Sequence, residues 1–457
     1  MKDRIKDIIK NKKILILGFG REGQSTYKVI RKYFQNLLLT IADLNKGIQE
    51  SSILKGDKNI NFKTGEEYLK NLDEFDLIIK SPGISLNKIN EKFPFEKITS
   101  QTGIFFNLFS ERIIGITGTK GKSTTSSLIY HILKLHNDNV VFAGNIGIPV
   151  FDIIDDINEK TLIVCEISSH QLEYIRNAPH ISILLNYFQE HLDYYKTYDD
   201  YKLAKFNIVL HQNEKDYLIY NSDNHETVEM IKKYNLKRSY VPFSICNALK
   251  EGIYVSCNFV IYKNNFTEEK VYDITSFRNI KGEHNLYNMI SAIAVGKILG
   301  LSNKIINEGL SSFKGLPHRM EYVGNYEGID FYNDSIATIP EATIEAVKAL
   351  KKVNTLIIGG FDRGIDYNIL IDFLENNYIE HIVFIDETGK RIMVAMKSRN
   401  KCNSEMFFVN TMKEAVEISK AKTEKNTICL LSPAAASYGM FKNFEDRGEQ
   451  FMKLVKN

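Results

Sequence analysis

The run Gly115-Ile116-Thr117-Gly118-Thr119-Lys120-Gly121-Lys122-Ser123-Thr124-Thr125 constrains the fold more than any other stretch of the chain. It follows the apolar Ile113-Ile114 and opens an amphipathic segment, Ser126 to Leu135, so a strand, a glycine-rich turn and a helix are expected in that order. Such a turn aims backbone N–H groups and the positive end of a helix at one point, where a polyphosphate can be held. In that arrangement Lys122 reaches the terminal phosphates and Ser123 ligates Mg²⁺. The glycine spacing departs from the usual one, because Ile116 stands five residues before Gly121 and glycines stand instead at 115 and 118. A plain strand-to-helix turn is the competing reading, and the flanking context favours the nucleotide site.

At 457 residues the chain is long enough for two to four domains. Its 44% hydrophobic and 25% charged residues are those of a globular protein, and a net charge of +3 gives no reason to expect a nucleic-acid partner. No apolar run approaches the length of a membrane span, and Met1-Lys2-Asp3-Arg4 leads into no signal-peptide core. Cys165, Cys246, Cys257, Cys402 and Cys429 form neither a CxxC pair nor a zinc spacing, so reduced thiols in a cytoplasmic protein are expected.

Apolar runs alternate with amphipathic stretches along the first hundred residues, as a parallel sheet with crossover helices requires. Strands are expected at Lys13 to Leu17, Leu37 to Ala42 and Asp76 to Lys80, with a helix over Glu22 to Tyr33. Gly18-Phe19-Gly20-Arg21-Glu22-Gly23 links the first strand to that helix, and Asp43 ends the second strand where a ribose-binding acid is expected. A lone GxGxxG is weak, and a tight turn explains it as well as a nucleotide does. Ser81-Pro82-Gly83 follows a strand and faces the edge where open α/β sheets bind ligands.

A second α/β unit begins with the phosphate loop. Val140 to Asn145 and Thr161 to Glu166 read as strands, and an acid ending a strand beside a phosphate loop is placed to hold the nucleotide's Mg²⁺. His191 lies in a polar turn, where solvation is the ordinary state of a histidine. Lys202 and Lys205 lie on a helix over Asp199 to Val209 and read by default as a solvated face. Residues 216–275 show short apolar runs and no chemistry. Asn285 and Asn288 are three apart on one helix face, suited to an adenine edge or a carbonyl. A third unit starts near Leu316-Pro317-His318-Arg319, with strands at Ile329 to Tyr332, Thr355 to Ile358 and Thr427 to Leu431 and helices over Pro340 to Leu350 and from Phe441. The expected class is α/β with three domains. These are Rossmann-like over 1–105, a parallel sheet of the phosphate-loop ATPase type over 106–315, and Rossmann-like again over 316–457.

Taken in order, Gly118-Thr119-Lys120-Gly121-Lys122-Ser123-Thr124, Glu166-Ile167-Ser168-Ser169, His284-Asn285, Gly315-Leu316-Pro317-His318-Arg319, Asn333-Asp334-Ser335, Leu431-Ser432-Pro433 and Phe444-Glu445 with Arg447-Gly448 resemble the Mur ligases. The match is closest to their MurD branch, which joins glutamate to UDP-N-acetylmuramoyl-L-alanine, and it spans nearly the whole chain, weakest over 216–275. The resemblance implies that ATP phosphorylates the substrate carboxylate and that glutamate's amine displaces phosphate from the acyl phosphate. By the same resemblance Gly118, Thr119, Lys120, Gly121, Lys122, Ser123 and Thr124 bind the phosphates of ATP, while Asn285, Arg319 and Asp334 grip the rest of it. Ser123 and Glu166 would hold one Mg²⁺, and His191 and Lys205 a second, Lys205 as a carbamate because an ammonium cannot ligate a cation. Gly20, Arg21, Asp43, Ser81, Gly83 and Asn145 would hold the UDP-sugar, in place of NAD in the first unit, and Thr338, Arg363, Ser437 and Phe444 the glutamate. A cytoplasmic monomer is expected.

The third unit departs from the commonest family pattern at Ile336, where a lysine is usual, at Gly439, where an acid is frequent, and at Arg363, where some members have lysine. Arg21-Glu22-Gly23 and Ser335-Ile336-Ala337-Thr338 resemble a subfamily that adds L-glutamate, so both enantiomers stay open, D-glutamate being the family default. Folylpolyglutamate synthase shares the phosphate loop but has no separate N-terminal Rossmann-like unit. A dehydrogenase reading rests on Gly18, Gly20, Gly23 and Asp43 alone and leaves everything after residue 110 unexplained.

Overall fold

Ile14-Leu15-Ile16-Leu17 is apolar at every position because the strand it forms is covered on both faces. In the computed structural model, which describes residues 1–86, 89, 95–145, 147–276 and 284–457, this strand lies at the centre of a five-stranded sheet. The spatial order is Ile60–Thr64, Leu39–Asp43, Ile14–Leu17, Leu77–Lys80 and Ile98–Thr99, all parallel. The strand order reverses between Ile14–Leu17 and Leu77–Lys80, so the turns after these two strands flank the crevice where such sheets bind ligands. Gly18 has a φ of +89°, and a Cβ on Gly23 would stand 2.1 Å from the Gly18 carbonyl oxygen, so both glycines are needed for the turn itself.

A second sheet, of nine strands, is built around Ile113–Thr117, with Ile181–Leu184 on one side and Leu162–Glu166 then Val140–Gly144 on the other. Beyond Ile181–Leu184 follow Tyr217–Asn221, Ser239–Ser244, Gly252–Ser256, Phe259–Lys263 and Glu268–Asp273. The sheet is parallel over most of its width, as expected, and its last three strands form an antiparallel meander. Cys257 and Asn258 both have positive φ, 47° and 67°, the backbone of a tight two-residue hairpin that a Cys-Asn pair signals only weakly.

The third sheet has six strands in the order Glu321–Tyr326, Ile329–Asn333, Ile428–Leu431, Val353–Gly359, His381–Ile385 and Glu405–Val409, the first antiparallel and the rest parallel. The first two sheets belong to one compact unit, residues 1–276 with 286–310, and the third to another, residues 277–285 with 311–457. Among the described residues no helix is long and apolar enough to cross a membrane.

Candidate active site

The phosphate loop takes its shape from glycines and from one asparagine that sequence reasoning missed. The strand Ile113–Thr117 is buried throughout, and the helix Lys122–Lys134 starts directly after Gly121, whose φ is +87°. A Cβ at Gly121 would stand 2.4 Å from Asn288 Oδ1, and one at Gly118 2.8 Å from the Leu185 side chain, so the unusual spacing reflects close neighbours on this particular loop. Asn186 Oδ1 accepts from the amides of Thr119 (3.1 Å) and Lys120 (2.9 Å) and pins the turn from the end of the neighbouring strand. Thr119 is buried, with its hydroxyl 2.8 Å from that of Tyr201. Lys122 Nζ lies across the loop, donating to the carbonyls of Gly118 (2.9 Å) and Thr119 (3.0 Å). Lys120 is exposed and pairs with Glu190, while Thr124 is buried and Ser123 half-buried in the first helical turn. Asn288, expected on a helix face suited to an adenine edge or a carbonyl, accepts from Thr125 Oγ1 at 3.0 Å and braces the helix, and Asn285 is buried with Nδ2 at 3.2 Å from His284 Nε2.

Glu166 ends the strand beside the loop, in register with Ile116. It is 1% exposed; Oε1 accepts from Asn145 Nδ2 at 3.0 Å, and Oε2 is buried without a hydrogen-bond partner. A buried carboxylate oxygen left unpaired is costly, and a cation, like a hydrogen-bond donor, removes the cost. Asn145, expected at the sugar nucleotide, donates instead to Glu166, the carboxylate expected at Mg²⁺. Among the described residues no three His, Cys, Asp or Glu side chains stand close enough to form a metal site by themselves. Mg²⁺ fits that chemistry, because it is bound by one or two protein groups, phosphates and water.

Lys205 corrects the expectation of a solvated face. The helix Tyr198–Leu210 buries Tyr201, Ala204, Lys205 and Ile208, an i, i+3, i+4, i+7 stripe on which Lys205 falls, whereas Lys202 pairs at the helix edge with Asp199. That stripe was available in the sequence. Lys205 Nζ donates to the Gly118 carbonyl at 3.0 Å and lies 4.7 Å from the centre of the Tyr201 ring. Burial, and then the Lys122 charge, push its pKa well below the usual lysine value. His191 is half exposed, with a φ of 58° and its ring 4.9 Å from that of His170. Burial lowers the His191 pKa, and Lys205 and Lys122 push in the same direction against Glu190 and Asp193. His170, unremarked in the sequence, is pushed down to about 4 by burial and by His191, so it is neutral near pH 7.

At the edge of the first sheet, Gly20 precedes the helix Arg21–Tyr33, and Arg21 Nη1 donates to the Gly147 carbonyl at 3.3 Å. Asp43 accepts from the amides of Phe19 (2.6 Å) and Asn45 (2.8 Å), and Ser81 Oγ donates to the Gly18 carbonyl at 2.8 Å. Asp43 and Ser81 therefore clamp the glycine turn from both sides, and Gly83 is exposed beyond it.

In the second unit Asp334 is buried, accepting from Ser432 Oγ at 2.7 Å and the Met320 amide at 3.1 Å, and burial raises its pKa to about 6. Arg319 is exposed nearby in sequence. Arg363 Nη2 donates to the Thr338 carbonyl at 2.7 Å, which brings two expected glutamate ligands together. Ser437 is buried, and Phe444 opens the last helix, Phe444–Lys456, with its ring 6.1 Å from His318. Arg447, matched by motif but given no role, is fully buried and holds Ser335 (3.0 Å to Oγ, 2.8 Å to the carbonyl) and Ala435 (3.0 Å to the carbonyl), tying the Asp334 loop to the Ser437 loop. Gly439 has a φ of +90°, which favours glycine over the acid frequent there; the Ile336 amide donates to the His318 carbonyl at 3.1 Å.

Residues 116–296 match the Mur ligase middle domain and residues 318–435 the Mur ligase glutamate ligase domain. The UDP-N-acetylmuramoylalanine–D-glutamate ligase of Oenococcus oeni is 35% identical, covering 98% of this chain and 97% of its own. That of a Thermoanaerobacter species is 34% identical over 98% of both chains, and that of Listeria innocua 32% over 97% of this chain and 96% of its own. Among solved structures, the UDP-N-acetylmuramate–alanine ligase MurC of Thermotoga maritima superposes with a TM-score of 0.55 at 18% identity, covering 98% of this chain and 99% of that one. The MurF ligase of the same organism, in complex with ADP, does so with a TM-score of 0.55 at 16% identity over 97% and 95%. At these identities the two structures show a common fold.

Proposed function

The chain belongs to the Mur ligase family, and we propose that it joins D-glutamate to UDP-N-acetylmuramoyl-L-alanine at the cost of ATP, forming ADP and phosphate in peptidoglycan precursor synthesis. The enantiomer follows the relatives' names. In this reading residues 1–105 bind the UDP-sugar, 106–315 carry ATP chemistry and 316–457 bind glutamate, in a cytoplasmic monomer. A carboxylate becomes an acyl donor only when its oxygen leaves as phosphate, so the site must hold the γ-phosphate beside a second anion. Gly118 to Thr124 supply amides and the Lys122 charge for that purpose; Asn285, Arg319 and Asp334 are assigned to ATP. Gly20, Arg21, Asp43, Ser81, Gly83 and Asn145 are assigned to the sugar nucleotide, and Thr338, Arg363, Ser437 and Phe444 to glutamate.

One observation carries the reading: Lys122 and Lys205 direct their amines at the same carbonyl, that of Gly118. Two ammonium groups there repel, and burial together with the Lys122 charge pushes the Lys205 pKa well below the usual lysine value, which favours its neutral amine. A neutral amine attacks CO₂, forming an N–C bond and releasing one proton, and the resulting carbamate is an anion that offsets Lys122. With His191 it would make one ligand pair for Mg²⁺, and Glu166 with Ser123 would make another. Mg²⁺ held there would supply charge neutralisation to the transferring phosphoryl group.

The test is phosphate release from ATP with UDP-N-acetylmuramoyl-L-alanine and each glutamate enantiomer. Wild type is expected to turn over with D-glutamate, and Lys122→Ala to lose on the order of a thousandfold. No release with either enantiomer would overturn the assignment; release with L-glutamate alone would reverse its stereochemistry.

A further inference from the structure

Lys80 is a charged residue that neither motif nor family resemblance singled out. It ends the strand Leu77–Lys80, immediately before the Ser81-Pro82-Gly83 turn, and is 2% exposed. Its amine donates to the Pro82 carbonyl (3.3 Å), Glu173 Oε2 (3.1 Å) and the Tyr194 hydroxyl (3.0 Å). The Tyr194 hydroxyl in turn lies 2.9 Å from both Glu173 Oε2 and the Ile84 carbonyl. A lysine taken out of water at this depth needs fixed partners, and here they come from segments that follow strands of both sheets of the first unit. Tyr194 also reaches the opposite end of the site. Its amide donates to the His191 carbonyl at 3.1 Å, and its ring lies 4.2 Å from that of His170, which abuts His191.

We propose that Lys80, with Glu173 and Tyr194, is a positioning cluster that holds the Ser81–Gly83 turn and the His191 turn in one fixed relation, coupling the seating of the sugar nucleotide to the placement of His191. The inference rests on the assignment of those two segments made above. Lys80 acts through Pro82 on one side and through Tyr194 on the other. The cluster therefore belongs to the UDP-sugar and metal steps and not to glutamate, whose assigned residues lie in the other unit.

The test compares steady-state constants for wild type, Lys80→Met, Tyr194→Phe and the double variant Lys80→Met with Glu173→Gln. In Lys80→Met the KM for UDP-N-acetylmuramoyl-L-alanine and the half-saturating Mg²⁺ concentration are both expected to rise about tenfold, with the KM for glutamate within about twofold. Tyr194→Phe keeps the ring on His170 and loses only the hydroxyl, and the same two constants should rise about three- to fivefold. The double variant removes the carboxylate that Lys80→Met leaves without its ammonium partner, and it should recover thermal stability without recovering either constant. Unshifted constants in Tyr194→Phe, or full recovery in the double variant, would overturn the inference while leaving the ligase reading intact. If Lys80→Met does not fold, Tyr194→Phe decides. An inactive wild type would overturn both.

Discussion

Burial shifts the pKa of both Lys205 and Asp334 from the ordinary value, down for the lysine and up for the aspartate, and each has its own test. Lys205→Ala should lose activity by at least about a hundredfold and regain part of it when short carboxylates such as formate are added, since an anion can then occupy the place of the carbamate. Failure of every short carboxylate, with the variant folded, would count against the carbamate. Asp334, with its pKa raised from 3.8 to about 6, binds a proton in the folded state that the unfolded chain has already released between those values. Stability therefore falls as pH rises from about 4 to about 6, by on the order of 2–3 kcal/mol, and this contribution is constant above. The difference between wild type and Asp334→Asn in urea melts at pH 4, 5, 6 and 7 should show that slope; a pH-independent difference would refute it. The placement of Lys122 and Ser123 at a helix start and of Glu166 at a strand end was legible from the sequence. Asn186 and His170 were not, because their roles depend on which strand and which histidine stand beside them.

Secondary elements were legible where a local rule sets them. Buried strands announced themselves as unbroken apolar runs, and the helix Pro340–Leu350 begins at the proline that sequence reasoning placed in its first turn. The meander over 252–273 was not seen as such, because hairpin pairing depends on a turn whose residues carry little signal. Two glycines test how tightly elements meet. Gly121→Ala must accept a φ of +87° and a 2.4 Å approach to Asn288, so the KM for ATP should rise by about tenfold or more and stability should drop by roughly 1–3 kcal/mol. Gly448→Ala would put a methyl group 2.2 Å from His318 Nδ1 and 2.9 Å from Asn333, lowering stability by roughly 1–3 kcal/mol through the second unit. Denaturant midpoints equal to wild type in either variant would contradict this crowding.

At the scale of the whole chain, all five cysteines are free, so a reductant should move the melting temperature by no more than about 1 °C, as scans with and without dithiothreitol would show. The sequence by itself determined the strand, turn and helix at Gly115 to Ser123 and the succession of three α/β sheets. These follow from glycine dihedrals and from the spacing of apolar residues, both of which are local properties. Only the tertiary structure decided which polar groups are buried, neutral or unpaired. Lys205 meets Gly118 from 87 positions away and Lys80 meets Glu173 across 93, and Glu166 keeps one oxygen without a partner because of what surrounds it. Desolvation and charge pairing arise from neighbours in space, and it is the folded chain that chooses those neighbours.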